Sequence, residues 1–387
     1  MLQRGYNLRV PEAIKETVND TTVAATPLAS LLLQGNPALP LETRGGCHTP
    51  ATFGDSAAEF TALRSSVGLY DLGFRTRISA TGEDKFRWLN GMVTNAVATL
   101  PESRGNYNFI LNAQGRIQGD AYVYNEPGRL LIDTDLAQAP RLLDHLNRFI
   151  IMDDVELTDL SDSTSTAGLA GPAAADLLTR LGLPAAASLE PLQFQPFRMC
   201  GIPVTILRAY SVLVPRFELW FDPAQTGAVW NVLLAAGATA TGLIAENALR
   251  VLEGTPLYGT DIQERNLVQE TSQTRALNFT KGCYLGQEIV ERIRSRTTVH
   301  RFLRQLELHG AIPAPGAELR SPGEERPVGA LTSIVTFNHP GLPATLALGY
   351  VRTETIDRQL PIEYDGGTAT ILDAPPPISG QTQASES

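Results

Sequence analysis

No stretch of the chain approaches the roughly 18 consecutive apolar residues that a membrane-spanning helix requires. The first twenty residues, MLQRGYNLRVPEAIKETVND, lack the apolar core of a secretory signal. A cytoplasmic protein is therefore expected. Cysteine is scarce: Cys47, Cys200 and Cys283 are odd in number and widely separated, unlike the paired spacing of a disulfide framework, and read as free thiols. Basic residues are outnumbered, 31 against 41 acidic ones, and the net charge of -10 argues against non-specific binding to nucleic acid. Cys47 and His48 are adjacent, but no second pair stands at ligand spacing, so no metal site is expected. Also missing are a phosphate-binding P-loop, a dinucleotide fingerprint after a strand and a serine nucleophile elbow.

What is present is enough chain, 387 residues, for two or three packed units with substantial cores. Residues 1–52 are rich in Thr, Pro and Gly and read as an arm, with helices expected near 11–18 and 27–33. From residue 57, AAEFTALRSSVG predicts a helix ended by Gly68, and GEDKFRWLNGMV a second helix after a strand at 75–80. NYNFILNAQGRIQGDAYVYNEPGRLLIDTD holds three apolar runs separated by NAQG and NEPG, the pattern of an antiparallel meander. In the helix that follows, Leu136, Leu142, Leu143, Leu146 and Ile150 fall near helical spacing and should cover one sheet face.

The order then recurs: a strand at 165–170, a helix from Gly171-Pro172, a hairpin at Cys200-Gly201 and the strand RFELWF, after which Asp222-Pro223 starts a helix. GLPAAASLEPLQFQP reads as a loop. The expected fold is α+β, with two related antiparallel sheet-plus-helix units over 53–300, a β-barrel over 301–373 and a disordered tail at 374–387.

Three stretches could carry chemistry. In KGCYLGQE a helix is expected just after Cys283, so its thiolate would be favoured by the helix start and by Lys281. The other reading of a lone cysteine is a small core residue. ENALRVLEGTPLYGTDIQERNLVQE follows an apolar helix with a loop dense in polar groups, including Glu253 and Tyr258, and suggests a lined cleft or a solvated turn. Arg292, Arg294 and Arg296 alternate, and on a strand they would share a face able to hold carboxylates or phosphates, or would be solvated.

These segments together resemble the YgfZ branch of the folate-binding proteins related to the glycine cleavage T-protein. The resemblance runs from about Phe53 to Leu372 and is carried by KGCYLGQE at 281–288, VGLYDL at 67–72, LNAQGRIQGDAYVY at 111–124, GTPLYGTDI at 254–262 and ALGYVR near the carboxy terminus. It implies a pseudo-repeated core and terminal barrel around a channel for tetrahydrofolate. It also implies support of iron-sulfur protein maturation or repair, including iron-sulfur enzymes that modify tRNA, so that partners would be such enzymes or their assembly factors.

On the same ground Cys283 and Lys281 are the candidates for chemistry, and Glu253, Tyr258, Asp120, Gln287 and Arg292 those for folate binding. T-proteins, which transfer an aminomethyl group to tetrahydrofolate, carry an aspartate in a segment like LTNDV. Here VTNAV has Ala96, which cannot orient or accept charge from a reacting amine. In the LRLEAG-like segment, whose glutamate is associated with the folate ring, Leu252 stands at the glutamate position and Glu253 one place, or about 100 degrees of helix, later.

Overall fold

The computed structural model describes residues 23–296, 299–339 and 341–377. The helix expected near 11–18 and most of the tail lie outside the described residues. Proline at the first turn and the Thr26 hydroxyl, which accepts from Ala29 N at 3.1 Å, start α1 (Pro27–Gly35). β1 (Leu41–Arg44) and β2 (Cys47–Pro50) form a hairpin. This arm is fastened to the body by polar bonds, because Thr26 and Thr49 both donate to the buried carboxylate of Asp71.

Asp55 caps α2 (Ser56–Ser65) by accepting from Ala57 N and Ala58 N. The helix stops three residues before Gly68, which instead opens β3 (Gly68–Asp71). A Cβ at that glycine would lie 2.5 Å from Leu63 and 2.7 Å from the Thr241 hydroxyl, so its role is close packing rather than helix termination.

The first unit comprises β4 (Arg75–Thr81), α3 (Lys85–Asn90), β5 (Gly105–Leu111), β6 (Ile117–Glu126), β7 (Arg129–Asp135), α4 (Ala139–Asn147) and β8 (Glu156–Asp159). Its sheet runs β5-β6-β7-β4-β8. The second comprises β9 (Ser165–Ala170), α5 (Ala174–Arg180), α6 (Pro184–Ala187), β10 (Phe194–Met199), β11 (Ile202–Arg208), β12 (Arg216–Phe221), α7 (Thr226–Ala235) and β13 (Thr239–Ala240). Its sheet runs β10-β11-β12-β9-β3-β13, the same order with β3 inserted before the last strand. The repeat expected from element order is thus written in the strand pairing. Residues 182–196, read as a loop, hold α6 and the start of β10, because Ala186, Leu189 and Phe194 find buried positions against the second unit.

Helices cover one face of each sheet: Trp88, Leu89, Leu142 and Leu146 on Ile78, Val123 and Ile132, and Leu177, Trp230 and Leu233 on Leu169, Ile206 and Phe217. The opposite faces meet each other through Tyr124, Leu131, Phe194, Leu207 and Trp220. α8 (Leu243–Leu252) follows, and then α9 (Gln287–Arg296). The arginines expected to alternate on a strand lie on α9 instead. Ile289, Val290 and Ile293 recur at helical spacing, and Arg292 and Arg294 pair with Glu288 and Glu291 one turn away.

The carboxy-terminal part contains β14 (Arg301–Gly310), β15 (Glu318–Leu319), β16 (Gly329–Thr336), β17 (Thr345–Arg352), α10 (Thr353–Asp357), β18 (Ile362–Tyr364) and β19 (Gly367–Leu372). Its antiparallel sheet runs β15-β16-β17-β14-β19-β18. The two edges are joined by a reciprocal pair of 2.8 Å backbone hydrogen bonds between Arg320 and Glu363, leaving a nearly closed barrel with few open strand edges. Among the described residues no helix is long and apolar enough to cross a membrane.

Candidate functional site

Where the two sheets face each other, local periodicity sends polar side chains inward. On β6, Asp120, Tyr122 and Tyr124 stand two residues apart and share a face; on β12, Arg216 and Glu218 do the same. On α8 and its C-cap, Glu246, Arg250 and Glu253 stand four and then three residues apart along one stripe. With Arg75, Tyr107, Tyr210, Tyr258 and Arg275 these residues line a central cavity of about 150 Å³. A wider cleft of about 860 Å³ shares Arg44, Asp135, Arg250, Leu257 and Tyr258 with it and forms its outer continuation.

Most of the charge in the cavity is matched. Arg75 donates to Asp135 at 2.7 Å, and Arg216 to Glu253 at 3.4 Å. Glu253 also accepts from the Ser211 hydroxyl and from Leu213 N. The one-residue offset from Leu252 has a direct structural meaning: Leu252 is fully buried in the apolar core, whereas Glu253, at the helix C-cap, faces the cavity. Asp120 accepts from the Tyr107 hydroxyl at 2.7 Å and from Gln138 at 3.0 Å, and burial raises its pKa against the pull of those bonds. Tyr258 donates to Gln118 O and accepts from Arg141 at 2.7 Å.

Glu218 is the exception. Its carboxylate has no ion pair within 4 Å among the described residues and accepts only a long bond, 3.4 Å, from the Trp220 indole. Burial, then the nearby Asp133, raises its pKa, with Arg75 and Arg77 opposing. Beside it the Arg275 guanidinium lies over the rings of Tyr107 and Tyr210, at 4.2 and 4.1 Å, and donates to the Tyr122 hydroxyl.

KGCYLGQE lies outside this lining. Cys283 is exposed and so is not the small core residue of the alternative reading. The helix expected just after it begins at Gln287, four residues on, so its first turn does not present free N–H groups to the thiol. Lys281 turns inward, and its ammonium donates to the carbonyls of Asn90, Val93 and Asn95 at 2.6, 2.6 and 2.7 Å. All three of its protons are engaged there, which makes it a staple rather than a charge partner for Cys283. Burial pushes its pKa down to about 7, while three carbonyl acceptors stabilise the charged form.

Gln287 accepts from Tyr284 N and orders the turn, whereas Arg292 is exposed and paired with Glu288. Gly286, at φ +81°, brings this loop onto the NAQG turn; a Cβ there would lie 2.6 Å from Asn112 O.

The Lys281 staple has a second consequence. Asn95 O is one of its acceptors, and the Asn95 amide donates to Tyr107 O and Arg275 O at 3.1 and 2.9 Å. The VTNA segment therefore couples the cysteine loop to the cavity, with Ala96 presenting no carboxylate. Lys281→Met keeps the apolar stem and removes three charge-assisted bonds, so a loss of about 1–3 kcal/mol in unfolding free energy is expected in urea titration. An unchanged midpoint at unchanged slope would show that other contacts hold the loop.

Residues 40–281 match the GCVT N-terminal domain family. The chain belongs to this family. An aminomethyltransferase of Thermus thermophilus is 30% identical over 306 residues, covering 78% of this chain and 84% of the relative. That of Geobacillus kaustophilus is 27% identical over 331 residues, covering 83% and 90%. The crystal structure of the glycine cleavage system aminomethyltransferase T from Bartonella henselae superposes with a TM-score of 0.79 at 20% identity, covering 92% of this chain and 98% of that one, so the fold is shared over nearly the whole length.

Within this aminomethyltransferase-like GCVT fold, Asp120, Glu253 and Tyr258 converge on the central cavity, while Cys283, Lys281, Gln287 and Arg292 do not line it. Glu218, Arg275, Tyr107 and Tyr210 were not singled out from the sequence. The alternation of Arg216 and Glu218 among the apolar residues of RFELWF is the one signal in the sequence for a polar face on that strand, and it does not say what that face meets.

Proposed function

We propose that this chain is a cytoplasmic YgfZ-type folate-binding protein that supports the maturation or repair of iron-sulfur proteins, tRNA-modifying enzymes among them, and does not turn over aminomethyl groups. The observation that carries the reading is the pairing of an under-satisfied carboxylate, Glu218, with a box of tyrosines in the cavity, while position 96 offers no acid.

The pterin ring of tetrahydrofolate presents N–H donors along one edge and a flat face, which suits a carboxylate beside aromatic rings. Asp120 and Glu253 would frame that ring, Tyr258 would mark the passage to the outer cleft, and the tail would run there. The inner cavity alone is smaller than the roughly 300–1,000 Å³ of ordinary ligand pockets, so a whole folate needs both spaces. When bound, tetrahydrofolate supplies a carrier for one-carbon units.

Cys283, exposed on a loop tied to the cavity through Lys281 and Asn95, would act by thiol exchange or transient ligation toward a client. Cys283→Ala is expected to lower the activity of iron-sulfur enzymes in cells while leaving the melting temperature and folate affinity of the purified protein unchanged. Undiminished enzyme activity in those cells would remove the assigned role.

The names of the relatives favour a second reading, a tetrahydrofolate-dependent aminomethyltransferase. Purified protein supplied with tetrahydrofolate and an aminomethyl donor separates the two, since sustained turnover would overrule the role of Ala96 argued above.

A further inference from the structure

A second large cleft, about 1170 Å³, lies between residues 260–270 and one end of the barrel, and shares no lining residue with the central cavity. It meets the outer cleft at Thr260 and Thr332. Its lining carries both signs of charge, and the pairing between them is uneven. Arg301 and Arg352 stand directly opposite each other in the register of β14 and β17, and both line the cleft. Like charges at opposed positions of an antiparallel pair repel, which destabilises the sheet unless an anion lies between them.

Of the lining carboxylates only Glu270 answers this pair, through Arg301, and it leaves Arg352 without a counter-charge among the described residues. Asp261 is paired with Arg250, Glu270 with Arg301, Glu318 with Arg320 and Glu354 with Arg358. Asp357 alone among the lining acids has no ion pair among the described residues. Against it stand Arg352 and, on the loop wall, Arg265, whose side chains also have no partner among the described residues, with His300 beside them.

We propose that this cleft is a binding site for a multiply charged oxyanion, held by Arg265, Arg301 and Arg352. Guanidinium groups bind carboxylate and phosphate oxygens in the same forked geometry, so two sources share this chemistry. One is the row of glutamyl carboxylates on an extended folate tail arriving through the outer cleft, which rests on the folate reading above. The other is a separate phosphorylated metabolite, which does not.

Calorimetric titration of the full chain with inorganic tripolyphosphate, and with monoglutamyl and pentaglutamyl tetrahydrofolate, tests the site. The wild type is compared with Arg352→Lys and the double variant Arg265→Ser/Arg352→Ser. Tripolyphosphate is expected to bind the wild type in a salt-dependent manner and the double variant at least roughly tenfold more weakly, with Arg352→Lys between them. Arg352→Ser alone should leave the melting temperature without ligand level or slightly raised, because Arg301 keeps its Glu270 partner and only a solvent-screened repulsion is removed.

A pentaglutamyl preference of about tenfold that vanishes in the double variant would identify the folate tail as the source. Equal affinity for the two folates, with tripolyphosphate still dependent on the arginines, would identify a phosphorylated one. Failure of both folates to bind defeats the folate reading and leaves the tripolyphosphate result standing. The site itself is overturned if neither tripolyphosphate nor the glutamate number responds to the loss of Arg265 and Arg352.

Discussion

Replacing Asp261 by alanine is expected to lower the unfolding free energy by about 3–5 kcal/mol, a large part of the roughly 5–15 kcal/mol that holds a typical domain folded. Asp261 is almost fully buried and forms a 2.7 Å ion pair with Arg250, which is itself 5% exposed. It also accepts from Leu257 N at 2.9 Å, from the Thr332 hydroxyl at 2.5 Å and from the Ser333 hydroxyl at 2.7 Å. One carboxylate therefore joins α8, the loop after it and the barrel strand β16. Alanine leaves a buried guanidinium uncompensated and several donors without an acceptor, and the cost comes mainly from what is stranded.

Equilibrium unfolding in urea measures the loss. The double variant Arg250→Met/Asp261→Leu, which removes both charges, should be more stable than Asp261→Ala alone. If the single and double variants lose the same amount, the ion pair is not what joins the two parts.

Glu218→Gln should have the opposite profile, sparing the fold and abolishing most ligand binding. The native carboxylate is half-buried near Asp133 with only one long hydrogen bond, so an uncharged side chain of the same size relieves desolvation and repulsion. The melting temperature should stay level or rise, as is usual where a binding group is held at the expense of stability. Affinity for a reduced folate should fall by the worth of charge-assisted hydrogen bonds, about 1.5–3 kcal/mol, or roughly 10- to 150-fold.

The pH dependence has a defined sign. Because the folded pKa of Glu218 is raised, protonation removes the acceptor already above the usual carboxylate range, so wild-type affinity should weaken as pH falls into that window. The Gln variant should lack this limb of the profile. Tight, pH-independent binding by Glu218→Gln would move the ring away from this carboxylate.

The contrast between these two acids shows what could be read early. Asp261 lies in GTPLYGTDI, a segment already marked by its polar density, yet its partners Arg250 and Ser333 stand 11 and 72 residues away. Glu218 belongs to RFELWF, correctly read as a strand, but which face would meet the other sheet was not contained in that strand. For Cys283 the sequence offered two readings, and its exposure removes one of them, the small core residue. The predicted partnership with Lys281 failed because three carbonyls from residues 90–95 outcompete a neighbouring thiol for the ammonium.

By itself the amino-acid sequence determined most of the element order, the doubled sheet-plus-helix plan, the terminal barrel and the resemblance carried by KGCYLGQE, but not α6 or the placing of the arginines on α9. Periodicity, caps and turn residues are local, and they report which side of each element is apolar. The tertiary structure alone decided which polar sides meet. Arg275 comes to lie between Tyr107 and Tyr210, and Glu253 turns to the cavity while Leu252 enters the core, because two sheets pack with their helix-free faces together. Long-range packing sets those neighbours, and no local pattern encodes them.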